Sequence, residues 1–351
     1  MRLLVLRRAL LCAILALVWT SGAAAYPWPF KPFDKQHPIR GFFGDPRTVF
    51  ENGALAGGFD GSGFFSFHQG VDIAARDGTP IYPVISGVAH YLGAATLNVD
   101  SGNGRIFQYF HIVPIVGEGQ SVLAKKTILG YVQPPFGHVH MTEISGTHAV
   151  NPLQKGHLMP YRDRTKPTIR DVSFRNSGGE IQTPLGLCGR VELDIDAFDT
   201  PPVPVPGKFH GLTVAPTLVR WTVTRLNGSV VVPWRTAADF RVTVPGNGSF
   251  TSVYAKGTYE NAPRFGNQQY TSMPGRYLFL LAGNYDTTSI PNGVYQLTAH
   301  VSDERDNGAT ITQRFSVLNA RNGVCPGSLP APPTTEPPPS EPPDASGDGS
   351  Q

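Results

Sequence analysis

The chain has 351 residues and a formal net charge of only +3, with no basic run beyond its extreme N-terminus, so nothing points to a nucleic-acid partner. Its 39 glycines and 33 prolines leave little room for long helix-periodic segments. The expected fold class is therefore all-β, and the length admits two domains with tails.

Residues 1–25 read as a signal peptide. Met1-Arg2 and Arg7-Arg8 supply positive charge, Ala9 to Trp19 form an apolar run, and Ala23-Ala24-Ala25 offer a cleavage site before Tyr26. The apolar run is too short for a comfortable membrane span, so no stable span is expected after cleavage. That places the mature chain outside the cytoplasm, secreted or in the cell envelope.

Residues 26–35 alternate proline with Tyr26, Trp28, Phe30 and Phe33, which excludes helix and favours an extended arm. Aromatics in such number are expected to pack on the following domain, since exposed they invite aggregation. That domain is expected over residues 36–162. A glycine-rich loop runs from Asn52 to Gly63. Strand-like segments follow from Gly78 to Gly93, at Leu97 to Asp100, from Arg105 to Ile112 and from Thr127 to Val132. Ser101-Gly102-Asn103-Gly104 is a hairpin turn signal. Pro134-Pro135-Phe136-Gly137 breaks the pattern before His138-Val139-His140.

From Lys166 the texture changes. Val191 to Ala197 alternates with period two, and similar strands are expected at Ile169 to Phe174, Leu218 to Arg225, Val294 to Asp303 and Ala309 to Leu318. Asn307-Gly308 is a type I′ hairpin signal between the last two. Residues 165–320 therefore read as an immunoglobulin-like β-sandwich with insertions. With the signal removed, Cys188 and Cys325 remain, and an even pair in an oxidising compartment invites a disulfide. Residues 326–351 are rich in proline, serine and glutamate and are expected to be a disordered tail.

The chemistry-bearing residues are His68, Asp72, His111, His138 and His140, all ahead of the sandwich. In a strand the side-chain period is two, so His138 and His140 share a face. His68 and Asp72 are four apart. Gly70, Val71 and Ile73 argue against a helix there, and in an ideal strand the two Cα atoms would stand about 13 Å apart. The chain must bend near Gly70 if they share an ion. A catalytic zinc uses three protein ligands and one open position.

His68-x-x-x-Asp72, Tyr109-Phe110-His111 and His138-Val139-His140, in that order, resemble the M23 (lysostaphin/LytM-like) zinc metallopeptidases, which act on peptide bonds of peptidoglycan. Pro38-Ile39-Arg40-Gly41-Phe42-Phe43-Gly44 with Arg47, Gly78-Thr79-Pro80-Ile81 and Asn151-Pro152-Leu153 fall where the family has similar strings, and the resemblance covers about residues 36–160. It implies an M23-type antiparallel β-sheet domain with Zn²⁺ held by His68, Asp72 and His140. His138 and His111 match the family's two non-ligand histidines, one for proton transfer and one for the developing oxyanion or the water, a division that stays open. Phe136-Gly137 before the His-x-His pair and Met141-Thr142-Glu143-Ile144 after it depart from the family's usual surroundings and bear on substrate preference.

The resulting expectation is a secreted zinc metalloendopeptidase with peptidoglycan as partner, and an envelope protein as a candidate partner of the C-terminal domain. The alternative is a non-catalytic M23-like scaffold or regulator. His90, His148 and His157 are expected to be strand or loop histidines. Asp303, Glu304, Asp306 and Asn307 match no dedicated calcium loop and read as a polar hairpin. Tyr254, Tyr259, Tyr270, Tyr277 and Tyr285 read as core rather than as a glycan-binding face.

Overall fold

The computed structural model describes residues 25–49, 64–93, 95–261, 274–319 and 325. The predicted signal peptide except its last residue, Ala25, the glycine-rich loop and the proline-rich tail lie outside these residues. Among the described residues twenty-one strands account for nearly all regular structure, and the single α-helix is one turn, Phe250–Val253. Among the described residues no helix is long and apolar enough to cross a membrane.

The first half carries β1 (Ile39–Gly41), β2 (Pro46–Val49), β3 (Phe64–Phe67), β4 (Val71–Ala74), β5 (Pro80–Ile81), β6 (Gly87–Gly93), β7 (Thr96–Asp100), β8 (Arg105–Phe110), β9 (Ile112–Pro114), β10 (Ser121–Val122), β11 (Gly130–Val132), β12 (His138–Ser145) and β13 (His148–Val150). Eight of them form one antiparallel sheet in the order β1-β4-β12-β8-β7-β6-β10, with β13 also on β12. Alternation decides which face each residue takes. Val139 and Met141 of β12 are fully buried with Val71, Ile73, Phe107 and Tyr109 of its neighbours in one core, while His138, His140 and Thr142 take the opposite face.

The N-terminal arm belongs to the same core. Tyr26, Trp28 and Phe30 are buried in it. Tyr26 donates to Glu143 Oε2 at 2.6 Å, and Trp28 Nε1 donates to the Pro160 carbonyl at 2.9 Å. Glu143 also receives Arg105 Nη2 at 2.6 Å and meets His157 Nδ1 at 2.7 Å, so His157 serves a buried structural knot.

The second half carries β14 (Thr168–Arg175), β15 (Ile181–Gln182), β16 (Arg190–Phe198), β17 (Leu218–Arg225), β18 (Val230–Asp239), β19 (Leu278–Asp286), β20 (Gly293–Ser302) and β21 (Gly308–Val317). They form two four-stranded antiparallel sheets, β15-β14-β16-β19 and β18-β17-β20-β21. Both sheets contribute to one core around Trp221, Leu193, Phe279, Tyr295 and Phe315. Tyr254, Tyr277 and Tyr285 lie in that core as expected, whereas Tyr259 is only half-buried and outside it, and Tyr270 falls outside the described residues. Cys188 and Cys325 are joined in a disulfide with Cα atoms 5.5 Å apart.

The β20–β21 connection differs from the expected two-residue turn. Asn307 still belongs to the turn, Gly308 is already in β21, and the positive φ sits at Asp306 (65°). The reason is Asp303. Its Oδ1 accepts the amides of Arg305 and Asn307 at 2.8 and 2.9 Å, and that stabilises a five-residue turn instead.

The two halves interpenetrate. Phe43 and Phe67 of the first are buried in the sandwich core, and Val214 of the second is buried in the core under the eight-stranded sheet. Asp45 Oδ1 accepts the Ala215 amide at 2.7 Å, Tyr254 donates to the Gly44 carbonyl at 2.7 Å, and Asn151 Nδ2 donates to the Phe240 carbonyl at 3.0 Å.

Candidate functional site

The polar face of β12 meets β4 in a register that pairs His140 with Asp72 and His138 with Ala74. Directly opposed residues in an antiparallel pair stand side by side, so the ladder itself brings His140 to Asp72. His68 arrives from the turn between β3 and β4. Gly70 makes that turn possible by close approach, since a Cβ there would stand 2.5 Å from the Met141 carbonyl and 2.8 Å from His140 Nε2. The bend expected at Gly70 is present.

The outcome is three donor atoms in mutual contact. His68 Nε2 lies 2.8 Å from His140 Nδ1 and 3.2 Å from Asp72 Oδ1, and His140 Nδ1 lies 3.0 Å from the same oxygen. The atoms on the far side of each group are already engaged. His68 Nδ1 donates to the Phe42 carbonyl at 2.8 Å, which leaves Nε2 with its lone pair. His140 Nε2 meets Thr142 Oγ1 at 2.9 Å. Asp72 Oδ2 accepts Arg47 Nη2 at 3.0 Å, which leaves Oδ1. Two imidazole nitrogens and one carboxylate oxygen, oriented in this way, are a donor set that could hold a metal ion such as zinc.

The electrostatics agree with that donor set. Burial, followed by the nearby Arg47 cation, lowers the His68 pKa to about 4, so the imidazole is neutral. Asp72 is held well below the usual carboxylate range, its burial outweighed by the adjacent histidines. Ligands must be deprotonated to bind a metal, and both are.

The structure places His138 next to this group and outside it. Its Nε2 is 3.6 Å from Asp72 Oδ1, and its Nδ1 donates to the Phe136 carbonyl at 2.9 Å, so the Nε2 lone pair faces the site. Burial, and then the Arg40 cation against the opposing pull of Asp72, lowers its pKa to about 3. His111 stands further out. Its ring stacks on Phe136 at 4.2 Å and tilts against His138 at 4.6 Å. It closes β8 with a φ of 61°, a conformation uncommon for a residue with a Cβ. Burial lowers its pKa to about 4.

Several residues near the site carried no role in the sequence reading. Arg40 sits at a bulge, because Ile39 and Gly41 of β1 are two apart while their partners Ile73 and Asp72 are adjacent. Its Nη2 reaches His138 Nε2 at 3.3 Å, and its Nη1 donates to the Phe136 carbonyl at 3.2 Å. Phe209, from the segment between β16 and β17, lies 4.1 Å over the Arg40 guanidinium, so the second half of the chain borders the site. Arg47 bridges Asp72 to Glu260 Oε2 at 3.8 Å, a second link across the two halves. A bulge and a contact between distant segments leave no periodic trace, although Arg40 and Arg47 do lie in the string that resembles the family.

No protein-family model matches the chain, and no curated protein matches it. M23 peptidases are among the solved structures similar to it. The catalytic domain of the prophage-encoded M23 protein EnpA from Enterococcus faecalis is 21% identical, covering 38% of this chain and 99% of that one, with a TM-score of 0.26. LytU is 23% identical, covering 35% and 86%, with a TM-score of 0.25. A chain of the SpoIIQ–SpoIIIAH pore-forming complex is 17% identical, covering 38% and 90%, with a TM-score of 0.28. At these values the likenesses carry no argument about activity, and each leaves most of the chain uncovered.

Proposed function

We propose that the protein is a secreted zinc metalloendopeptidase that hydrolyses peptide bonds of peptidoglycan. The observation that carries this reading is the meeting of His68 Nε2, Asp72 Oδ1 and His140 Nδ1 within 3.2 Å, with the neutral His138 beside them. The motif resemblance over residues 36–160 supplies the substrate class.

In this reading His68, Asp72 and His140 hold the ion. A zinc ion held there would supply a bound water with its pKa lowered to about 7 and Lewis-acid polarisation of the scissile carbonyl. His138 would take the water's proton at Nε2 once the 3.3 Å contact from Arg40 Nη2 gives way, and return it to the leaving amine; its Nδ1–H, fixed on the Phe136 carbonyl, sets the required tautomer. His111 and Arg40 stand where they can donate to the developing oxyanion, and Phe136 with Phe209 forms apolar borders that exclude water. The sandwich, immunoglobulin-like in this reading, positions the peptidase against the wall or an envelope protein.

The test uses residues 26–351 purified with zinc and incubated with peptidoglycan. The expected result is one zinc per chain and new amino termini. His138→Ala keeps the zinc and loses the hydrolysis, whereas His140→Ala loses both. Full zinc occupancy with no release from any wall preparation overturns the enzyme reading and favours the non-catalytic scaffold.

A further inference from the structure

A second cluster of acids shares no residue with the His68, Asp72 and His140 group. It joins three segments: Asp163 in the stretch after the first half, Asp199 just beyond β16, and Asp303 with Glu304 in the β20–β21 turn. All four are buried, Asp199 and Asp303 almost completely at 1% and 0% exposure. Asp163, Asp199 and Asp303 each present an oxygen within 4.8 Å of the others. Among the described residues none of the four forms an ion pair. Arg305, next to Glu304 in sequence, turns away to the Leu153 carbonyl at 2.6 Å and the Tyr161 ring at 4.7 Å.

The hydrogen bonds present engage both oxygens of Asp163, which also takes the Thr165 hydroxyl, and both of Asp303, but leave Asp199 and Glu304 short of donors. Asp303 Oδ2 accepts Asn307 Nδ2 at 2.7 Å, in addition to the two amides on its Oδ1. Asp163 Oδ1 accepts the Thr165 amide at 2.8 Å. Tyr161 lies against both Asp163 and Glu304, but its single hydroxyl proton is directed to Asp163 Oδ2 at 3.1 Å. Asp199 Oδ1 takes the Thr200 amide at 2.7 Å. Among the described residues Asp199 Oδ2 is buried with no partner, and the Glu304 oxygens are buried with only the Tyr161 hydroxyl beside them, its proton already given to Asp163. An unpaired buried carboxylate oxygen is costly, and a cluster of them calls for a cation. Burial and then mutual repulsion raise Asp199 to about 9 and Glu304 to about 7, the same electrostatic demand seen from the proton's side.

We propose that Asp163, Asp199, Asp303 and Glu304 form a buried Ca²⁺ site that ties the end of the first half to the sandwich. The donors are all oxygen, which selects a hard cation over zinc. Several carboxylates enclosed away from solvent suit Ca²⁺, which takes six to eight oxygens in flexible geometry, better than Mg²⁺, which keeps its waters. The ion supplies the charge that Arg305 does not. It also fastens the turn whose Asn307 Nδ2 donates to the Asp163 carbonyl at 3.2 Å.

The experiment uses the whole mature chain, stripped of metal and reloaded with one equivalent of zinc, and titrated with Ca²⁺ or Mg²⁺ alone by calorimetry and thermal melting. The expected result is one Ca²⁺ per chain and a melting temperature raised by about 5–10 °C at a hundredfold excess over Kd, with a smaller response to Mg²⁺. Asp199→Asn weakens Ca²⁺ binding at least tenfold and leaves the zinc content unchanged. His140→Ala keeps the Ca²⁺ response, which separates this site from the zinc site. Two results overturn the proposal: a parent chain that binds no Ca²⁺ up to about 10 mM, beyond the weakest extracellular sites, or an Asp199→Asn chain that binds it as tightly as the parent. The first of these needs no variant to fold.

Discussion

Replacing Arg47 by methionine keeps the aliphatic stem and removes the guanidinium shared by Asp72 Oδ2 at 3.0 Å, Glu260 Oε2 at 3.8 Å and Asp45 Oδ2 at 3.9 Å. Asp45 already stands at about 7 because burial outweighs Arg47, so without Arg47 it takes a proton instead of remaining a stranded charge. Asp72 and Glu260 are the groups left uncompensated. Breaking a buried pair on one side costs about 3–5 kcal/mol, and a quarter of the Arg47 side chain reaches solvent, so the lower end, about 3 kcal/mol, applies. At about 2–4 °C per kcal/mol the melting temperature falls by about 6–12 °C. Asp72 also loses the contact that leaves Oδ1 to the metal, so zinc affinity falls about 10–100-fold. Thermal melts and chelator competition for zinc read the two effects separately. Arg47→Lys restores part of the stability and less of the zinc affinity, because an ammonium cannot span the carboxylates as a planar fork does. An Arg47→Met chain that melts with the parent and holds zinc as tightly refutes the bridging role.

Three further outcomes follow from the same structure. Arg40→Ala removes the cation that helps depress His138, so the acid limb of the pH–rate profile moves to higher pH; an unmoved limb shows that Arg40 does not act on His138. Cys188 and Cys325 are 137 residues apart in sequence, and replacing both by serine lowers stability by about 2–5 kcal/mol in urea titration, an unchanged midpoint being the contrary result. Asp199 has its folded pKa raised from 3.8 to about 9, so unfolding releases its proton between those values; metal-free chain is therefore most stable near pH 4 with respect to this group and loses that contribution as pH rises toward 9. Glu304, raised to about 7, acts in the same direction, Ca²⁺ flattens the decline, and a metal-free stability independent of pH over that window contradicts the assignment.

The all-β class was legible because period-two alternation and frequent glycine and proline are local properties. The strand Leu218–Arg225 matches its expected bounds, and the turn at residues 101–104 joins β7 to β8 as its sequence signals. The hairpin after β20 was misjudged because Asp303 competes for the turn amides that an Asn-Gly pair would otherwise govern. His68, Asp72 and His140 could be gathered from spacing and resemblance. The positions of Arg40 and Phe209 could not, since one depends on a bulge and the other on contact between segments about 170 residues apart.

By itself the sequence determined which residue types were available and which strand faces they would occupy. Period two puts His138 and His140 together on one face of β12, and Gly70 permits the bend that returns His68 to them. Tertiary structure decided which of these groups touch, because strand register sets His140 against Asp72 and leaves His138 to Arg40. It alone brought Asp163 and Asp199 to Asp303 and Glu304, turning what reads locally as a polar hairpin into a buried cluster of acids. Local pattern records the period of a chain, whereas convergence of distant carboxylates is a property of packing, and no window of sequence contains it.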